Sequence, residues 1–493
     1  MAHLLGLDIS TTATKALLID GQGTVMAQAS AAYPLSTPHP RWSEQDPTHW
    51  WTATQHAIRQ VLTQTGVPAE AIQAVGLTGQ MHGLVLVDAA GVVLRPALLW
   101  NDGRADAECT VIRERLGADR LVRLTGNEAF AGFTAPKLLW VRQHEPDVYA
   151  QVQQVLLPKD YVRYNLTGAY ATDCAGAGGT LLLDLATRTW SAEVLEALEI
   201  PQAWLPPTHE GPAVTGRLTA AAAAATGLAI GTPVVAGGGD QAAQAVGVGA
   251  VAPGTMALTV GTSGVVFAPT DQPHTAPEGR AHAFPHAVPG QWHLMGVMLS
   301  AAGSLRWYRE VFAAETSYDD LLTEAAAVPP GADGLTFLPY LSGERTPHAN
   351  PHAQGAFVGL TLRHARGHAT RAVLEGVAFG LRDNLALLHE AGAPRPDALR
   401  LSGGGAQSPL WRQIMADVLG VPLRPVQTIE AAAYGAALLA GVGVGIWPDV
   451  ETACDVTVHL GDSVPPSDHR QAYDHAYATF QAVYPRLHPS STT

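Results

Sequence analysis

The stretch His3-Leu4-Leu5-Gly6-Leu7-Asp8-Ile9-Ser10-Thr11-Thr12-Ala13-Thr14-Lys15-Ala16-Leu17-Leu18-Ile19-Asp20 reads as strand, turn, strand. Two apolar runs flank a segment carrying an acid, four hydroxyls and a lysine. Asp8 closes an apolar strand, where a carboxylate without a partner is costly, and this marks it as a ligand-facing residue. Gly21-Gln22-Gly23 then opens a second hairpin into Val25-Met26-Ala27. The plan returns at Met256-Ala257-Leu258-Thr259-Val260-Gly261-Thr262-Ser263-Gly264-Val265-Val266-Phe267. Two halves that each open on a polar-turned hairpin point to a duplicated α/β unit. Successive N–H groups and hydroxyls in such turns can cradle an anion without lysine or arginine.

At 493 residues the chain is too long for one core, and two large domains are expected. An apolar share of 47% with 15% charged residues describes a globular protein. The formal charge of -14, with no basic stripe, argues against nucleic acid as a partner. No apolar run is long enough for a membrane span. A strand begins almost at once, which leaves no room for a signal peptide, so a cytoplasmic location is expected. Cys109, Cys174 and Cys454 are far apart, which indicates neither a disulfide framework nor a zinc site. Lysine is confined to Lys15, Lys137 and Lys159, so these are the places to look for a compact ammonium that arginine cannot replace.

A second informative stretch is Val234-Val235-Ala236-Gly237-Gly238-Gly239-Asp240-Gln241-Ala242-Ala243. An apolar strand stops at three glycines, offers one carboxylate and continues in small residues suited to a tightly packed helix. An acid so placed can serve as a general base, and Asp240 is the candidate. The stretch also fits GxGxxA after a strand. A dinucleotide-binding unit should carry an acid about twenty residues on, where Leu258-Thr259-Val260-Gly261 has none. No glycine is followed by lysine, which removes the P-loop, and the kinase HRD and DFG elements, HExxH and GxSxG are missing as well.

Between these landmarks, a helix is expected from Thr48 to about Thr65. Strands are expected at Ala74–Thr78, Leu84–Val87 and Leu94–Trp100. The first ends at Gly79-Gln80-Met81-His82-Gly83 and the last at Asn101-Asp102-Gly103-Arg104. Strand ends with glycine-flanked polar residues are where α/β folds keep small-molecule sites, so His82, with Gln80 and Asn101, is read as sugar-hydroxyl recognition. From about Ala105 to Ala229 the chain reads as mainly helical, with a strand at Gln154–Leu157 before Pro158-Lys159-Asp160-Tyr161. Later come a turn-rich loop, Ser342-Gly343-Glu344-Arg345-Thr346-Pro347, and an amphipathic helix from Arg371 to Glu390. A strand, Leu399–Leu401, runs into a second triple glycine without an acid, Ser402-Gly403-Gly404-Gly405-Ala406-Gln407-Ser408, whose bare backbone suits a flat ring or ribose. The Ala/Gly/Leu helix Glu430–Ala440 suits a domain junction, and a last helix is expected at about Ser467–Tyr484.

These motifs resemble the FGGY carbohydrate kinases, of the actin-like, ribonuclease-H-like ATPase superfamily, from Leu4 to about Leu439. Asp8–Lys15 looks like the family's first phosphate hairpin. Gly132-Phe133-Thr134-Ala135-Pro136-Lys137-Leu138-Leu139-Trp140-Val141-Arg142-Gln143 is similar to its N-terminal signature. Gly355-Ala356-Phe357-Val358-Gly359-Leu360 with Arg371-Ala372-Val373-Leu374-Glu375 resembles the C-terminal one. Trp42-Ser43-Glu44-Gln45-Asp46-Pro47, Gly79–Gly83, Trp100–Arg104 and Leu156–Tyr161 are similar to the wording of the xylulose kinases within it.

The resemblance implies a two-domain α/β fold with an interdomain cleft: residues 1–247 bind sugar, 248–445 bind ATP, and 446–493 form a tail. It implies ATP-dependent phosphorylation of D-xylulose, with magnesium, in an enzyme of a family whose members are often homodimers. Residue by residue, Asp240 matches the catalytic base and Asp8 the acid near metal and phosphates. Met81, His82, Asp240 and Gln241 match the ketose pocket. Thr11, Thr12, Lys15, Gly261, Thr262 and Ser263 match the phosphate hairpins, and Gly404, Gly405 and Ser408 the adenosine side. Three positions depart from the pattern. Ser10 replaces a common glycine, Gln241 a common asparagine beside the base, and Ala369 a larger apolar residue. The departure at Gln241 leaves open a kinase of ribulose, gluconate, glycerol or another polyol, and an alternative of another class is an actin-like regulator that binds both ligands without transfer.

Overall fold

Residues 2–427 and 430–488 are described in the computed structural model. The strand His3–Ile9 pairs antiparallel with Ala13–Asp20, which pairs in turn with Val25–Ala32. On its other side His3–Ile9 pairs in parallel with Ile72–Gly79, and the sheet continues through Pro233–Val235 to Val214–Arg217. The second half repeats the plan. Met256–Val260 pairs antiparallel with Gly264–Thr270 and parallel with Leu399–Ser402, in a sheet that runs from His282–Pro285 to Leu423–Pro425. The duplication expected from the hairpins is therefore present, as two α/β halves with mixed sheets. Near-continuous burial of the strands His3–Ile9 and Met256–Val260 follows from their having layers on both faces.

The helix Ala431–Gly443 belongs in space to the first sheet. A Cβ on Gly6 would lie 1.9 Å from the Ala433 carbonyl oxygen, and one on Gly76 would lie 1.8 Å from that of Ala436. The same helix crosses Asp240–Gly247 at glycines on both partners: a Cβ on Gly435 would meet the Ala243 oxygen at 1.9 Å, and one on Gly247 the Ala431 oxygen at 1.9 Å. Small residues let two backbones touch here, which is the physical use of the Ala/Gly composition. The tail is no separate unit. Val450–Thr457 packs on the crossing helix, and Arg470–Leu487 packs on Pro409–Leu419 of the second half.

Some expected elements shift. The strand expected at Leu94–Trp100 shrinks to Ala97–Leu98, after a bend at Arg95 and Pro96, which has no amide to donate to a ladder; Arg95 pairs with Glu44 and Glu145. The mainly helical region carries several two-residue strands, among them Thr172–Asp173 and Thr208–His209. The long amphipathic helix begins at Arg366, five residues earlier than its apolar periodicity announces, because its first turn, Arg366-Gly367-His368-Ala369-Thr370, carries no large apolar side chain. All three cysteines are free and buried.

Candidate active site

The triple glycine is what brings the acid to the loop. Gly237 has φ 73°, and a Cβ there would stand 1.7 Å from the Leu77 oxygen, so only glycine fits. Gly238 and Gly239 then pair in parallel with Thr78 and Gly79, so the chain is fastened to the strand that ends in Gln80-Met81-His82. Asp240 follows as the first residue of the helix Asp240–Gly247, and a Cβ on Gly239 would touch Met81 Cγ at 2.9 Å. Asp240, Met81 and His82 are thus neighbours by backbone pairing. Desolvation, with the Asp8 charge added to it, pushes the Asp240 carboxyl up to about 7. Its Oδ1 accepts from the Gln241 amide at 2.8 Å. Burial likewise raises Asp8 to about 6, against the pull of Lys15.

His82 occupies the left-handed region at φ 68°, a strained conformation for a non-glycine residue, and its surroundings hold it there. Its carbonyl accepts from Thr134 Oγ1 at 3.0 Å and from Lys137 Nζ at 3.1 Å. Its ring Nδ1 lies 2.6 Å from the Gly179 oxygen, and the ring meets Phe133 edge-on at 4.6 Å. Burial pushes the imidazole down to about 3, so the ring is neutral. A carbonyl can only accept, so Nδ1 carries the proton and Nε2 is left as an acceptor. Lys137 also donates to the Gly132 oxygen at 2.6 Å, and burial brings its ammonium down to about 7.

At the first hairpin the amides of Thr11 and Thr12 have no protein partner among the described residues, and Thr11 Oγ1 accepts from Trp100 Nε1 at 2.9 Å. Lys15 is engaged elsewhere, with its Nζ 2.5 Å from Glu430 Oε2 beside the start of the crossing helix. At the second hairpin the carbonyls of Gly261 and Thr262 accept from Ala302 and Ala301, while the amides of Thr262 and Ser263 have no protein partner among the described residues. A cavity of about 670 Å³ opens next to it, lined by Gly261, Thr262, Gly404, Gly405 and Ser408 together. Five sequence-selected positions therefore converge; Ser263 sits at the exposed tip outside that lining. Ser408 also caps the helix Pro409–Leu419 by accepting from the Trp411 amide. Gln244, on the Asp240 helix, donates to Thr259 Oγ1 at 2.6 Å, which ties the acid's helix to the strand feeding the second hairpin.

Sequence reasoning missed Gly179, Gly303 and Arg306, and gave no individual role to Thr134 or Gln407, which it quoted only within longer motifs. Gly179 and Thr134 act through backbone or hydroxyl contacts that leave no pattern, and the other three line the cavity beside the second hairpin from a helix and a turn. Lys137 was singled out as a rare lysine, and its place beneath His82 is a finding of the fold.

Two family models match the chain, both of the FGGY family of carbohydrate kinases: the N-terminal domain over residues 3–247 and the C-terminal domain over residues 256–444. A xylulose kinase of Escherichia coli (strain K12) is 43% identical over 98% of this chain and 99% of its own. The solved structure of a xylulose kinase from Rhodospirillum rubrum superposes with a TM-score of 0.92 at 35% identity, covering 99% of each chain. That of a gluconate kinase from Lactobacillus acidophilus gives 0.94 at 29% identity, again over 99% of each. Backbone likeness therefore does not separate sugars.

Proposed function

The chain belongs to the FGGY family of carbohydrate kinases, and on that premise we propose that it transfers the γ-phosphoryl group of ATP to the terminal hydroxyl of D-xylulose, giving D-xylulose 5-phosphate. The observation that carries the chemistry is Asp240, a carboxyl raised to about 7 and fastened beside Met81 and His82. The near-full-length likeness to xylulose kinases supports the choice of sugar.

In this reading the hydroxyl oxygen attacks the γ-phosphorus, its proton passes to Asp240, the bond to the β,γ-bridging oxygen breaks, and ADP departs. A base whose pKa is near neutrality suits that proton transfer. Neutral His82 accepts a sugar hydroxyl at Nε2, and Met81 and Gln241 complete the pocket. Phosphoryl transfer depends on positioning and charge stabilisation more than on covalent help. The free amides of Thr11, Thr12, Thr262 and Ser263 supply donors for phosphate oxygens, and Gly261, Gly404, Gly405 and Ser408 receive the nucleoside. Lys15, held by Glu430, acts on the phosphates at most through its charge on Asp8.

The residues present fit magnesium. Asp8 Oδ1 is buried with no hydrogen-bond partner among the described residues, an arrangement that a hydrated cation would satisfy. Among the described residues no three His, Cys, Asp or Glu side chains converge on one point, so Asp8 would hold the ion with ATP oxygens and water completing its shell. When bound, the ion supplies neutralisation of the phosphate charge. The test is Asp240→Asn, expected to lower turnover about 100- to 10,000-fold with sugar binding retained. Turnover near wild type refutes the base assignment. A coupled ADP-release screen across pentuloses, gluconate and glycerol checks the sugar.

A further inference from the structure

The loop Ser342–Pro347 comes from the second half of the chain, yet one of its side chains reaches the surroundings of His82. Glu344 anchors the loop. It is buried, and its Oε1 accepts from the Leu299 amide at 3.0 Å and the Arg345 amide at 2.7 Å. Thr346 adds a second anchor, since its Oγ1 accepts from the Val297 amide at 3.1 Å and donates to the Arg280 oxygen at 3.1 Å. Between these anchors Arg345 is half-buried, with its guanidinium carbon 5.9 Å from the Phe130 ring centre. Phe130 lies 6.0 Å from Phe133, and Phe133 packs edge-on against His82 at 4.6 Å. The guanidinium stands close enough for its charge to bear on both His82 and His282. Among the described residues its side chain makes no ion pair and no hydrogen bond.

A half-buried guanidinium that rests over the Phe130 ring and keeps no hydrogen-bonding partner among the described residues has its donors available to a ligand bound beside His82. Arginine offers five donors and no acceptor, so what completes it must be an acceptor. The neighbouring groups have the opposite character: His82 Nε2 accepts, and so does the Asp240 carboxylate. Hydroxyls can serve those acceptors, whereas the carbonyl oxygen of an open-chain ketose can only accept. We propose that Arg345 is a substrate-binding and specificity-determining residue, which donates from the second half of the chain to the ketose carbonyl, at the end of the sugar away from the phosphorylated carbon. The pocket is then built from both halves, and it distinguishes a ketose from the alditol of the same carbon count. This rests on the sugar-kinase reading above.

The experiment compares wild type, Arg345→Met and Arg345→Lys as full-length chains. It reads the KM for D-xylulose, the KM for ATP, and the inhibition constant of xylitol, with thermal unfolding to confirm folding. Losing a charged hydrogen bond to substrate weakens binding about 10- to 100-fold. The expected result is a KM for D-xylulose raised by about that factor in Arg345→Met, with the KM for ATP and the xylitol constant within about threefold of wild type. Arg345→Lys keeps a donor without the fork, so its KM should fall between the two. A KM in Arg345→Met within threefold of wild type overturns the inference and leaves the sugar-kinase reading standing. So does equal weakening of D-xylulose and xylitol, which would make Arg345 a wall of the pocket only. If Arg345→Met does not fold, an unchanged D-xylulose KM in Arg345→Lys overturns the inference. Wild-type protein that turns over no D-xylulose overturns the sugar-kinase reading itself, and this inference with it.

Discussion

The pH dependence of the reaction follows from Asp240. Its carboxyl is raised from 3.8 to about 7, first by desolvation and then by the charge of Asp8. A base must be ionised to accept a proton, so activity should rise with pH through that midpoint. The ionised fraction is about 1% at pH 5, about 10% at pH 6 and about 90% at pH 8, a tenfold change per unit below the midpoint. Rates measured with both substrates far below their Michaelis constants report the free enzyme, the state to which that value applies. Removing the Asp8 charge by Asp8→Asn lowers the rate but should also move the midpoint downward, because one of the two causes of the shift is gone. Stability carries the same signature with the opposite sense. The folded-state pKa lies above the unfolded one, so this group's contribution is fully present below about pH 4 and is lost as pH rises to about 7. The loss is at most about 4 kcal/mol, at 1.36 kcal/mol per unit. Asp240→Asn should therefore be more stable than wild type at pH 8 and nearly equal to it at pH 4, by chemical denaturation. An acid limb centred near pH 4, or a stability gain independent of pH, would refute the reasoning.

Other expectations follow from single contacts. His82→Ala should raise the KM for D-xylulose about tenfold or more and leave that for ATP unchanged, because the imidazole lies in the Asp240 pocket and not in the second cavity. Lys137→Met should raise the same KM through the backbone, since Lys137 and Thr134 hold the His82 carbonyl in its strained conformation; steady-state kinetics in each substrate would separate this from a fall in kcat alone. Gly435→Ala puts a Cβ where the Ala243 oxygen stands at 1.9 Å, and should lower stability by about 1–3 kcal/mol, read as a lower Tm. Asp173→Asn takes one carboxylate from buried Lys159, 2.6 Å away, and should cost about 3–5 kcal/mol, with Asp160 left as the remaining partner.

Much of the fold was legible because its signals are local. Apolar runs with polar turns fixed the paired strands at both hairpins, and the Ala/Gly run at Ala431–Gly443 announced a close helix crossing. The long helix is legible only from Arg371, since its first turn has no large apolar side chain to extend the periodicity that reveals a buried face. Of the site, the carboxylate after the triple glycine and the Gln-Met-His loop were both visible from glycine placement. Their adjacency was not, because it depends on Gly238–Gly239 pairing with Thr78–Gly79 about 160 residues away in the chain.

The sequence by itself determined the family, the repeated strand-turn-strand plan and the identity of the acid, all of which are written in contiguous residues. Only the tertiary structure decided how the two triple glycines correspond. Gly403–Gly405 follows Leu399–Ser402, the parallel neighbour of the second hairpin strand; its counterpart in the first half is Ile72–Gly79, which leads to His82, and not Pro233–Val235, which leads to Asp240. It also decided that Lys15 is bound by Glu430, that Lys137 supports His82, and that Arg345, from the other half, stands near enough for its charge to bear on His82. Each of these is a side chain meeting a group far off in sequence. The spacing of residues along a chain records which strands and helices form, and only the packing of those elements brings such groups together.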